Sequence, residues 1–89
     1  MANLYLIDKP FADSALGLVR EDSAAEVVLL QDGVYLGVQP VLAAGKKVYA
    51  IGCDVERRGL SGQIDKAVGL IDYQQLVDLL LANKVLNFA

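Results

Sequence analysis

Histidine is missing altogether from this 89-residue chain. Without it there is no Ser-His or Cys-His nucleophilic pair and no ordinary zinc site. A single cysteine, Cys53, cannot form an internal disulfide framework, which removes the usual argument for secretion. Long apolar runs are missing too. The longest stretch without a charged residue runs from Gly33 to Gly45 and is broken by Gly37 and Pro40. A membrane-spanning helix needs about 20 apolar residues, so none is expected. The opening Met-Ala-Asn-Leu-Tyr-Leu-Ile-Asp has neither a basic start nor a small-residue cleavage site, so no secretory signal is expected and the cytoplasm is the default setting. Positive charge clusters only at Lys46-Lys47 and Arg57-Arg58, in a chain of net charge −3. Nucleic-acid binding needs several clustered cations to release counterions, so direct binding of tRNA or DNA is disfavoured. Gly52 to Gly59 lacks the spacing and the lysine of a phosphate loop.

What the chain does have is an excess of apolar side chains. Hydrophobic residues make up 55% of the sequence, and so short a chain has too much surface to hide them all. The length fits one domain, residues 1–89, and the surplus points to a subunit interface, hence an oligomer.

Three near-continuous apolar runs, Asn3–Ile7, Glu26–Leu30 and Lys47–Ile51, each stop at turn residues. Such runs suit strands covered on both faces. Ala67–Ile71 is a weaker fourth candidate, and Val85–Phe88 a short edge strand. Between them lie helical segments. Tyr73–Ala82 is the clearest, with Tyr73, Leu76, Val77, Leu80 and Leu81 sharing one face and Leu79 off it. Asp72 stands at its N-cap position, with Gln75 placed for a capping box. Asp13–Val19 and Asp54–Arg58 are shorter candidates, the latter closed by Gly59, and Gly37 with Pro40 splits residues 32–44 into two turns. Alternating strands and helices imply a small three-layer α/β/α open sheet, mostly parallel. Ligands of such sheets bind beyond the carboxyl ends of the strands. Those ends carry Asp8-Lys9-Pro10, Gln31-Asp32-Gly33, Gly52-Cys53-Asp54 and Asp72-Tyr73.

Two constellations follow. Cys53 stands between a strand and a helix, where backbone N–H groups and Arg57 or Arg58 would favour a thiolate able to carry a persulfide. The competing reading is a small apolar residue filling the sheet end, with Asp54 beside it opposing ionisation. Asp8, Asp32, Asp54 and Asp72 are the second group, and they suit either Mg²⁺ in a nucleotide-binding module or helix caps and turns. Capping accounts for Asp72, and a turn dipeptide for Asp32-Gly33.

The series Val28-Leu29-Leu30-Gln31-Asp32-Gly33-Val34, Lys47-Val48-Tyr49-Ala50-Ile51, Arg58-Gly59-Leu60-Ser61-Gly62-Gln63-Ile64 and Leu70-Ile71-Asp72-Tyr73, with the opening Lys9-Pro10-Phe11, resembles the DsrH/TusB family of sulfur-relay subunits across nearly the whole chain. The resemblance implies a DsrE-like α/β/α fold and assembly with DsrE/TusD-type and DsrF/TusC-type subunits. It implies a complex that passes persulfide sulfur toward 2-thiolation of the tRNA wobble uridine, or, in the DsrH branch, serves dissimilatory sulfur oxidation. In both branches it places the main sulfur-carrying cysteine on the DsrE/TusD-type partner. No cofactor is expected. Some DsrH members have a cysteine in the first helix, where Ser14 to Val19 has none. Cys53 instead lies near the strand-end region that holds the active cysteine of the DsrE/TusD-type relatives. The expectation is therefore a structural partner in the relay, with a self-sufficient persulfide carrier through Cys53 as the alternative.

Overall fold

The structure is a computed structural model that describes residues 2–89. Strand β1 (Asn3–Ile7) is followed by a 3-10 turn (Lys9–Phe11), α1 (Ala12–Glu21), β2 (Ala25–Leu29), a second 3-10 turn (Gln31–Tyr35) and α2 (Gln39–Ala43). Then come β3 (Lys47–Ile51), α3 (Gly52–Arg57), β4 (Gly69–Ile71), α4 (Tyr73–Ala82) and β5 (Lys84–Phe88). The five strands form one sheet in the order β4-β3-β2-β1-β5, and every pairing is parallel. The expected α/β architecture is therefore present, with a sheet that is parallel throughout.

Topology decides which helix covers which face. The chain steps from β1 to β4 in one direction, so right-handed crossovers put α1, α2 and α3 on the same side. There Tyr5, Ile7, Val27, Leu29, Val48 and Ala50 pack with Ala15 and Val19 of α1, Val41 of α2 and Val55 of α3. From β4 the chain returns across the whole sheet to β5, and the same handedness sends α4 to the opposite face. That second core is smaller: Leu4, Val28, Ile51 and Ile71 meet Leu76, with Leu6, Leu30, Tyr49, Cys53, Leu79 and Leu80 half-buried around them. Alternation along β1 divides Leu4 and Leu6 from Tyr5 and Ile7, and helices on both sides explain why the strand reads as an unbroken apolar run.

Several boundaries differ from expectation for identifiable reasons. Leu30 still donates to the Ile7 carbonyl at 3.0 Å, but Gln31 adopts φ 50 and ends β2 one residue early. Residues 65–68 form a turn in which Asp65 accepts from Ala67 N and Val68 N, so β4 keeps only three residues. Helix α3 begins at Gly52 and ends in a Schellman motif: Leu60 N donates to Val55 O, Gly59 N to Glu56 O, and Gly59 takes φ 66. The expected split of residues 32–44 is present, as the second 3-10 turn and α2. Gly33 sits where no side chain fits, since a Cβ there would lie 2.2 Å from the Ile7 carbonyl oxygen.

The largest departure concerns α4. Its capping box forms as expected, with Asp72 Oδ1 accepting from Gln75 N and Gln75 Oε1 accepting from Asp72 N. Of the face expected to be apolar, however, only Leu76 is buried, while Tyr73, Val77 and Leu81 are 54%, 44% and 83% exposed. Leu79, off that face, packs on the second core with Leu80. Among the described residues no helix is long and apolar enough to cross a membrane.

Candidate functional site

A parallel sheet places all strand carboxyl ends at one edge, so Asp8, Gln31-Asp32, Cys53-Asp54 and Asp72-Tyr73 lie along a common rim. Within that rim one position is special. The exits of β1, β2 and β3 lead to one face and the exit of β4 leads to the other, so β3 and β4 are adjacent strands whose connections diverge. Such a switch point leaves a crevice between the diverging chains. The surface there holds a cleft of about 430 Å³ lined by Gly52, Cys53, Glu56, Leu70, Ile71, Asp72 and Tyr73, a size that suits a small ligand or an inserted side chain.

Cys53, the second residue of α3, is half-buried with its sulfur toward this cleft and the second core. Tyr73, the first residue of α4, stands beside it. The phenol's pKa is raised, first by the neighbouring Cys53 thiol and then by the Asp54 charge, while Arg57 acts in the opposite sense. A phenol in that position can donate to a sulfur anion. The residue partnering the thiol was absent from the sequence reading, because the adjacency of residues 53 and 73 arises only once β3 pairs with β4.

The carboxylates do not gather. Asp8 accepts from Lys9 N at the start of the first 3-10 turn, and Asp72 caps α4. Asp54 turns inward, 3% exposed, and accepts from Gln31 N at 2.8 Å. Arg58 joins it: the guanidinium lies 2.9 Å from Asp32 and 3.7 Å from the Asp54 carboxylate, and Nη1 also donates to the Asp54 carbonyl. Arg58 is thus committed to a structural clamp, and the arginine whose charge reaches the cleft is Arg57. Among the described residues no three acidic, cysteine or histidine side chains converge to hold a metal ion. The arrangement offers one thiol nucleophile with a hydroxyl neighbour, in a cleft whose lining also includes the carboxylates of Glu56 and Asp72.

Comparison with known proteins gives this geometry a family. The family described as "DsrH like protein" matches residues 10–85, which takes in every element from the first 3-10 turn to the start of β5. The chain belongs to the DsrH family. Among curated proteins, this DsrH-family chain is 43% identical over 60 residues to Protein TusB of Escherichia coli (strain K12), covering 61% of the chain and 63% of that protein. It is 38% identical over 73 residues to Protein TusB of Pectobacterium parmentieri, covering 75% of each. It is 33% identical over 60 residues to Protein TusB of Photorhabdus laumondii, where the match spans 63% of the relative's length.

Proposed function

We propose that this DsrH-family chain is a cytoplasmic subunit of a sulfur-relay complex supporting 2-thiolation of the tRNA wobble uridine. In this reading it acts chiefly as the structural partner of DsrE/TusD-type and DsrF/TusC-type subunits. Its relatives named Protein TusB favour this branch over sulfur oxidation. The observation that carries the structural role is the placing of its apolar surface. Phe11, Leu18 and Tyr35 are exposed away from α4, Tyr73, Val77 and Leu81 are exposed on α4 itself, and Leu70 is exposed on the edge strand β4. A monomer of 89 residues gains nothing from leaving seven large apolar side chains in water. Co-expression with the DsrE-type and DsrF-type chains of the same genome tests the reading. A stable complex, and loss of wobble-uridine thiolation when the gene is deleted, are expected. A chain that purifies free of both partners and whose deletion leaves thiolation intact refutes it.

A second reading makes Cys53 itself a sulfur carrier, supported by its place in the switch-point cleft beside Tyr73. The Cys53 thiolate would attack the sulfane sulfur of a donor persulfide, giving a Cys53 persulfide and releasing the donor thiolate. Intact-mass spectrometry after incubation with a persulfide donor decides it. One added sulfur that is lost in Cys53→Ser supports a carrier. A thiol that alkylates readily yet takes up no sulfur assigns the chemistry to the partner alone.

A further inference from the structure

We draw no further inference here: the strongest candidate, the groove of about 400 Å³ between α4 and strands β3 and β4, lined by Tyr49, Ile71, Gln75, Asp78, Leu79 and Ala82, carries nothing because nothing in the structure shows what covers it.

Discussion

Removing the Asp54 carboxylate should cost this chain about 3 kcal/mol, a large part of its stability. The side chain is buried, and its Oδ2 accepts from Gln31 N at 2.8 Å. A hydrogen bond to a charged group contributes about 1.5–3 kcal/mol. In Asp54→Ala the Gln31 N–H loses that acceptor in a turn already held at φ 50. Arg58 then keeps only Asp32, whose side chain is 59% exposed, and so exposed a pair contributes at most about 1 kcal/mol. A domain of this size is stable by about 5–13 kcal/mol in total, so the loss should appear as a fall in Tm of about 12–24 °C. Asp54→Asn keeps a carbonyl acceptor for Gln31 and removes only the charge, so about 1–1.5 kcal/mol is expected.

Urea denaturation at neutral pH measures both variants. A double-mutant cycle with Arg58→Met should return a coupling of about 0.5–2 kcal/mol. Because Asp54 anchors the first turn of α3, which carries Cys53, loosening it should also raise the rate of thiol labelling by a disulfide reagent several-fold. The reasoning is refuted if Asp54→Ala stays within about 0.5 kcal/mol of wild type, or if alanine and asparagine cost the same.

Three further outcomes follow from the same packing. Gly33→Ala should destabilise by about 3 kcal/mol or more, because the methyl meets the Ile7 carbonyl oxygen and backbone must move; a urea midpoint like wild type refutes this. Asp22 accepts from Asn3, Tyr5 and Ala24, first and most strongly from Asn3, which holds its carboxyl below the ordinary value near 3.9. Its contribution is complete above that pH and is lost as pH falls toward the folded-state value, so Asp22→Asn should flatten the loss of stability below about pH 4. An acid limb as steep as the wild type's counts against it. Asp72→Ala removes the N-cap of α4 and should cost about 1 kcal/mol, which thermal melts followed by circular dichroism will resolve.

Much of the fold is legible in the sequence because each device acts locally. The three long apolar runs read as strands because both faces of a parallel sheet are covered, and Asp72 with Gln75 announces the start of α4 through neighbours three residues apart. The illegible features are those that depend on what a residue meets across the sheet. Leu81 and Leu76 have the same periodic credentials, yet one is 83% exposed and the other buried, because periodicity counts apolar positions without saying how much sheet lies beneath them. Arg58 looks like a solvated helix end until β2 and β3 pair and bring Asp32 within reach. The left-handed Gln31 lacks the glycine or asparagine signal such a conformation usually carries, since Asp54 supplies the hydrogen bond that holds it.

The return from β4 to β5 ties these features to the site. Had the chain continued outward past β4, α4 would lie on the first face with the other helices, and no crevice would open between β3 and β4. The reversal does two things at once. It separates the exits of the two strands around Cys53, and it lays a single ten-residue helix, about 15 Å long, over a sheet five strands wide. The sheet lies against one side of that helix only, so the apolar residues on its outer side stay in water. Tyr73 belongs to both results: it walls the cleft beside the thiol and begins the exposed stripe. Any chain that docks along α4 therefore abuts Cys53, and the accessibility of that thiol should fall on association by an amount that labelling can measure.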